Sequence, residues 1–400
     1  MSEWIICTLG EVLEVKYGKD HKKLQDGKYP CFGSGGFMRS VDEYIYDEES
    51  ILIPRKGSLN KISYQDKPFW TVDTMFWTKI DRQRVNPKYL FYQLTSTNFS
   101  TLNVGSAVPS LTVPVINGIK IKLPPLEEQK AIASVLSCLD AKIENLRRQN
   151  ETLEAIAQTL FKHWFIDFEF PNEDGKPYKS SGGEMRSSEL GEIPKDWQIR
   201  KLGDEIDVQK GLSYKGSGLA DIETGIPMHN LKSIYEGGGY QHEGIKYYNA
   251  DYKERHICKA GDIIVTNTEQ GEKHKLIGFP ARIPAYFENT SIFTHHISKI
   301  SIQKSSYLRN EFIYYLFHSR IMRHQIISYT NGTTVNMLPN DGLKLPIFAL
   351  PPKEMIAKFS EVIKPIWAKS EINYEQIQTL TKTRDALLPK LMSGQIRVKE

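Results

Sequence analysis

EWIICTLGEVLEVKYG, residues 3–18, recurs as DWQIRKLGDEIDVQKG at residues 196–211. Six of the sixteen paired positions are identical: Trp4/Trp197, Ile6/Ile199, Leu9/Leu202, Gly10/Gly203, Val15/Val208 and Gly18/Gly211. A repeat on this scale marks one structural unit written twice, and any architecture has to accommodate both copies. The copies also end alike, with Leu123-Pro124-Pro125-Leu126-Glu127 in the first and Leu350-Pro351-Pro352-Lys353-Glu354 in the second. A glycine, Gly105 or Gly332, stands nineteen residues before each Pro-Pro pair. The frames match but the interiors do not. Trp4 to Pro124 spans 120 residues and Trp197 to Pro351 spans 154, so 34 further residues lie within the second copy.

A long helix is expected after each Pro-Pro step. Proline at a helix start loses no hydrogen bond, and Glu127 and Glu128 complement the positive end of the helix dipole. Apolar residues then step at 4-3 spacing through Ile132, Leu136, Leu139, Ile143, Leu146, Asn150, Leu153, Ala157, Leu160 and Trp164, a heptad seam. The second seam runs Ile356, Phe359, Ile363, Ile366, Ser370, Asn373, Ile377, Leu380, Arg384, Leu387 and Leu391, with more polar interruptions. Pro365 is expected to kink it, because an interior proline removes a backbone donor. Asn150 on the seam is either a register device or a tolerated polar defect. Two such helices in one chain pair most simply with each other, antiparallel, with the globular units at opposite ends.

The repeat and the helices predict an α+β protein: two globular mixed α/β units separated by two long antiparallel helices forming a coiled coil, with a pseudo-twofold internal repeat. The expected boundaries are a first globular domain at 1–123, a central helix at 124–168, an irregular Gly/Pro/Ser-rich linker at 169–195, a second globular domain at 196–350, and a distal helix with tail at 351–400. Strand-like runs such as 50–53 and 69–72 punctuate the first unit, a helix is expected after Asn86-Pro87, and 312–317 (FIYYLF) supplies its counterpart.

The 52 Lys and Arg against 48 Asp and Glu leave a net charge of only +4, which announces no nucleic-acid binder by itself. No run approaches eighteen apolar residues, so nothing directs the chain to a membrane, and a cytoplasmic location is expected. Cys7, Cys31, Cys138 and Cys258 are scattered and form no C-x-x-C pair, so reduced thiols are expected. Gly33 to Gly36 and Gly237 to Gly239 are glycine clusters without the G-x-G-x-x-G frame, and the histidines lack metal-ligand spacing. Asn86-Pro87-Lys88-Tyr89 approaches the Asn-Pro-Pro-Tyr kind of methyltransferase tetrapeptide but has lysine in place of the second proline. The residues therefore point to a non-catalytic protein, with no catalytic residue, no metal and no cofactor expected.

The whole arrangement resembles the DNA specificity subunit of Type I restriction-modification systems, on the strings LPPLEEQKAIASVLSCLDAKIENL at 123–146, ELGEIPKDW at 189–197 and LLPKLMSGQIRV at 387–398. The resemblance implies that the two globular units are target recognition domains, each reading one half of a bipartite asymmetric site in double-stranded DNA. It also implies that the helices set the half-site spacing and dock two methyltransferase (modification) subunits, with restriction subunits joining to complete the nuclease. Roughly forty helical residues span about 60 Å, nearly two turns of duplex. Two other readings stay open: a self-contained adenine DNA methyltransferase using 86–89, and a coiled-coil scaffold protein with no DNA role.

If the units read DNA, phosphate contacts call for Lys, Arg and small donors on loops, and base contacts call for Arg, Asn or Gln at a groove edge. In the first unit the candidates are Lys19, His21, Lys22 and Lys23 after Gly18, then Arg55, Lys56, Ser58, Asn60 and Lys61, with Ser106 and Ser110 on the Gly-led loop. In the second they are Tyr214 and Lys215 after Gly211, then Thr266, Asn267, Gln270, Lys273, His274 and Lys275, with Thr333, Thr334 and Asn336 on the equivalent Gly-led loop. Ordinary solvated surface accounts for many of these lysines equally well.

Overall fold

The repeated sixteen residues build the same local structure twice. In the computed structural model, which describes residues 4–271, 274–287, 290–332, 335–339 and 341–398, the chain divides into two units. One comprises residues up to 147 together with those from 375 onward, and the other residues 148–374. Each long helix is therefore shared, half to each unit.

In the first unit β1 (Ile5–Thr8) pairs antiparallel with β9 (Lys120–Leu123), joining the start of the repeat to its end. The main sheet has the order β2 (Leu13–Tyr17), β8 (Met75–Ile80), β5 (Ser50–Pro54), β6 (Ser63–Gln65). All five residues of β5 are buried, as a strand covered on both faces requires. A second sheet orders β4 (Gly36–Val41), β3 (Asp26–Gly33) and β7 (Trp70–Thr71), with β3 and β7 parallel. Helix α1 (Pro87–Thr95) starts where Asn86-Pro87 predicts, because Asn86 Oδ1 accepts the Tyr89 N–H at 3.0 Å and proline fills the first turn. A short helix α2 (Val113–Asn117) leads into β9.

The second unit repeats this plan. β12 (Gln198–Lys201) pairs antiparallel with β24 (Ile347–Leu350), and the main sheet orders β13 (Ile206–Lys210), β22 (Ile297–Ile302), β18 (Ile263–Thr266), β20 (Pro280–Arg282). The second sheet is enlarged to β14 (Leu219–Ala220), β16 (Lys246–Tyr248), β15 (Ile226–His229), β21 (Ser291–Phe293), β17 (Ile257–Cys258), and again its β15–β21 pair is parallel. The interval from Tyr17 to Met75 is 58 residues and its counterpart from Lys210 to Ile297 is 87, so most of the 34 extra residues enlarge this sheet and its loops. Helices α4 (Asn310–His318) and α5 (Arg320–Ser328) follow, the first realising the FIYYLF run, and β19 (Thr268–Gln270) pairs with β23 (Val335–Met337).

The identical glycines have one physical reason each. A Cβ on Gly18 would lie 2.1 Å from the Val72 carbonyl oxygen, and one on Gly211 would lie 2.3 Å from that of Phe293, so in both units the strand leaves the main sheet pressed against the backbone at the end of a parallel strand. Leu9 and Leu202 are fully buried, each in the core of its unit.

The segment expected as an irregular linker is folded. β10 (Met185–Ser188) and β11 (Gly191–Pro194) form a hairpin, and Phe168, Phe170, Ile193 and Trp197 are buried together in the core of the second unit. Phe170 stacks on Trp197 with ring centroids 5.5 Å apart. The Gly, Ser and Pro content of this stretch is that of a tight hairpin, and its aromatic residues supply the burial that a linker lacks.

The helices are α3 (Leu126–Phe165) and α6 (Lys353–Ser393), of 40 and 41 residues. α6 continues as helix through Pro365. In the first unit Ile143 and Leu146 pack on Ile377, with Leu380 beside them, and Asp140 pairs with Arg384 at 2.8 Å, an antiparallel pairing. Ile132 and Leu136 join Leu391 and Met392 in the core, Leu387 packs against it, and Leu139 is half-buried. In the second unit the helix halves also run antiparallel: Ile356, Phe359 and Ile363 meet Ala157, Phe161 and Phe165. Leu160, Trp164 and Ile366 are partly buried around them and Leu153 is half-buried. Phe161 and Phe165 lie one position off the heptad seam, because here α3 packs on the aromatic core of a domain as well as on its partner helix.

Asn150 sits in a polar layer. The Asn373 amide donates to Asn150 Oδ1 at 2.9 Å and to Gln149 Oε1 at 3.3 Å, while the Asn150 amide donates to the Ser370 carbonyl at 3.2 Å. Asn373 has no exposed surface. Asn150→Leu is expected to destabilise the second unit by about 1–3 kcal/mol, since it strips a partner from a buried amide, whereas the double change Asn150→Leu/Asn373→Leu recovers most of that loss. Urea denaturation of both single variants and the double variant measures the coupling, and simple additivity would exclude a paired layer.

Candidate nucleic-acid interface

The first unit brings candidates from two of their three segments, 19–23 and 55–61, to a pair of clefts. His21 and Lys22, the β3–β4 turn (Gly33 to Met38) and residues 72–74 line a cleft of about 750 Å³. Beside it, Gly57 to Lys61 with Ser100, Asn103 and Pro109 line a second of about 670 Å³. Lys61 Nζ donates to the Gly35 carbonyl, tying the second loop to the hairpin turn. Lys19, Lys22, Lys23, Lys56, Ser58, Lys61 and Ser106 are exposed, and His21, Arg55 and Ser110 are partly so. Arg55 lies over the exposed Tyr17 ring at 5.4 Å and donates to the Asp73 carbonyl at 3.1 Å. Asn60 is exposed but committed, donating to Ser100 Oγ at 3.0 Å and to Asn98 Oδ1 at 3.2 Å.

The Gly-led loop is held by a residue that sequence reading overlooked. Asn103 Oδ1 accepts the N–H groups of Gly105 at 2.9 Å and Ser110 at 2.8 Å, closing the loop on itself. The Asn-x-Gly spacing is the available signal, an Asx turn. A Cβ on Gly105 would stand 2.1 Å from the Val108 carbonyl oxygen, and one on Gly332 would stand at the same distance from that of Val335, so the loop closes alike in both units.

The second unit is chemically different at the matching positions. Tyr214 accepts a hydrogen bond from Lys246 Nζ at 2.7 Å, and Lys215 is exposed. Thr266, Asn267 and Asn336, expected at the surface, are buried, which corrects their assignment as DNA contacts. Thr266 completes β18, its hydroxyl donating to the Leu276 carbonyl; Asn267 N–H donates to the His296 carbonyl at 2.8 Å; Asn336 holds the Gly271 carbonyl at 2.6 Å. Glu269 braces the loop by accepting the N–H groups of Lys275, Leu276 and Ile277 at 2.8, 3.0 and 2.9 Å. Arg323 closes it from below, donating to the His274 carbonyl at 2.7 Å. Gln270 and Lys275 are exposed, Lys275 facing Glu236 at 3.3 Å, while His274 is partly buried in a left-handed conformation with φ of 46°. Lys273, Thr333 and Thr334 lie outside the described residues.

The catalytic readings meet specific obstacles. Asn86 caps α1 through its side chain and Tyr89 is wholly buried, its hydroxyl donating to the Lys122 carbonyl at 2.8 Å, so 86–89 is a helix start with its polar groups consumed. His229 Nε2 lies 3.0 Å from Ser291 Oγ, itself 3.3 Å from Cys258 Sγ, which superficially suggests a base beside a nucleophile. All three residues have no exposed surface, and burial pushes the thiol up to about 12 and the imidazole down to about 3, so the trio serves the core. Among the described residues no group of three His, Cys, Asp or Glu side chains is arranged to hold a metal, and no helix is long and apolar enough to cross a membrane.

One scaffold written twice, bearing loop faces of unlike chemistry and sharing a pair of long helices, defines a recognition protein of two related units. The family model for the Type I restriction modification DNA specificity domain matches residues 1–155 and 194–382, and the chain belongs to that family. It is 29% identical over 89% of its length to the Type I restriction enzyme MjaIX specificity subunit of Methanocaldococcus jannaschii, covering 79% of that protein. It is 25% identical over 99% of its length to the MjaVIII specificity subunit of the same organism, covering 94%. Its fold is that of the S subunit of a Type-I restriction-modification system from M. genitalium, with a TM-score of 0.61 at 17% identity, over 98% of this chain and 96% of that one.

Proposed function

We propose that this chain is the specificity subunit of a Type I restriction-modification complex. It reads a bipartite asymmetric site in double-stranded DNA, one half per unit, and docks two modification subunits through its helices, with restriction subunits completing the assembly. In this reading the chain is non-catalytic, needs no cofactor of its own and acts in the cytoplasm. The observation that carries it is the duplicated strand plan with dissimilar loops: the first unit offers exposed Lys19, Lys22, Lys56 and Lys61, where the second offers a self-braced loop with Gln270 and Lys275. A non-palindromic site calls for two different readers on related supports, and phosphate-facing cations with a few amide groups suit duplex binding.

Exchanging residues 1–122 for those of a relative with another target tests the reading. Methylation mapping should then show one half of the modified site replaced, with the other half and the spacing retained. Change in both halves, or in neither, would rule out one reader per unit.

A further inference from the structure

The tip of the β3–β4 hairpin in the first unit carries two large apolar side chains in solvent. Phe37 is 63% exposed and Met38 50% exposed, on a unit whose other phenylalanines are mostly buried. Isolated exposed apolar residues are common, but this pair is held in place. The turn through Ser34 and Gly35 is pinned by Lys61, whose ammonium donates to the Gly35 carbonyl. Gly36 takes a φ of 111°, and the Phe37 ring packs edge-on against Phe32 with centroids 6.3 Å apart. Met38 sulfur lies where a Cβ on Gly33 would approach to 2.7 Å, so the glycine makes room for it. His21 and Lys22 line the same cleft, as do Asp20 and Asp73.

We propose that Phe37, backed by Met38, is a wedge that inserts between base pairs of the half-site read by the first unit. The inference rests on the DNA-reading function proposed above and identifies how this unit deforms its target. Apolar side chains flanked by cations unstack duplex steps in this manner, exchanging base stacking for ring stacking. The flanking Lys22 and Lys61 suit the phosphates on either side of the step. The carboxylates of Asp20 and Asp73 repel phosphate but accept hydrogen bonds from exposed base amino groups, placing bases rather than backbone in the cleft. The matching strands of the second unit, β15 and β16, are joined by the long stretch 230–245 through Gly237, Gly238 and Gly239, which contains no phenylalanine or methionine; its exposed aromatic, Tyr235, donates to Glu243 at 3.4 Å. The Phe37 wedge is therefore particular to the first unit.

The test uses the full chain in complex with modification subunits, on the duplex defined by methylation mapping, with 2-aminopurine placed in turn at each position in and beside both half-sites. Wild type should give, at one step of the first half-site, enhanced fluorescence in addition to that of the adenines the modification subunits extrude. Phe37→Ala should abolish that enhancement, weaken binding about tenfold and leave every signal at the second half-site unchanged, while Phe37→Trp retains it. Equal thermal melting of the variants confirms folding. Selective binding with no enhancement that depends on residue 37 overturns the wedge and leaves the DNA-reading function standing. Absence of selective binding by wild type overturns both.

Discussion

Ending the chain after Ala386 is expected to unfold the first unit and leave the second folded. The residues removed complete the core of the first unit: Leu391 and Met392 are buried there, and Leu387, Leu388 and Val398 pack against it. Burial of Leu391 and Met392 alone is worth about 3–6 kcal/mol, a large share of the ~5–15 kcal/mol that stabilises a typical domain. The tail also carries Arg397, which forks onto the Glu128 carboxylate, with the Nη2 to Oε2 bond at 2.7 Å, and lies over Trp4 at 5.6 Å; Trp4 donates to the same carboxylate at 3.3 Å. The two ends of the sequence thus meet on one residue of α3. Hydrogen exchange read by segment checks the outcome: β5 and β8 should lose protection, while β18 and β22 keep theirs. Undiminished protection in β5 would show that the tail is dispensable.

Mild acid is expected to destabilise the second unit selectively. Burial pushes His229, His242 and His318 each down to about 3 from the ordinary 6.5. His229 is the most enclosed, with Nδ1 2.8 Å from the Tyr240 hydroxyl, and His242 stacks on Tyr374 with centroids 3.2 Å apart. Above pH 6.5 the three are neutral whether the unit is folded or not. As pH falls below that, the unfolded chain binds protons that the folded unit refuses until about pH 3, so stability is lost across this window. The slope is at most about 1.4 kcal/mol per pH unit for each histidine, hence about 4 kcal/mol per pH unit for the three together. The first unit contains a single histidine, His21, which is only partly buried. Unfolding monitored by segment-resolved exchange at pH 7 and pH 5 should show the second unit falling well ahead of the first. An equal decline in both would point to general charge repulsion instead.

Much of the frame was legible because it rests on local rules. Asn86-Pro87 capped a helix where capping chemistry demands one, and the Pro-Pro-x-Glu steps opened the two long helices. The heptad seam located Ile143, Leu146, Ile377 and Leu380 correctly, but it missed Phe161 and Phe165, which face a domain core as well as a partner helix. The linker was misjudged because Gly and Ser signal a turn without saying whether Phe168, Phe170 and Trp197 around it find a core. At the candidate interface, the exposure of the first unit's lysines is legible, because a charge on a polar loop stays in solvent. The burial of Thr266, Asn267 and Asn336 was hidden, since it follows from β18–β22 and β19–β23 pairing between residues far apart in sequence.

By itself the sequence determined that the protein is a duplicated scaffold with paired helices and unequal interiors, because repeats, caps and heptads act over a few residues and leave their period in the chain. Only the tertiary structure decided why Gly18 and Gly211 are both glycine, which polar loop residues face solvent, and that Phe37 stands at a hairpin tip among cations. Those properties depend on which distant backbone comes to lie against each residue, and chain order does not record that.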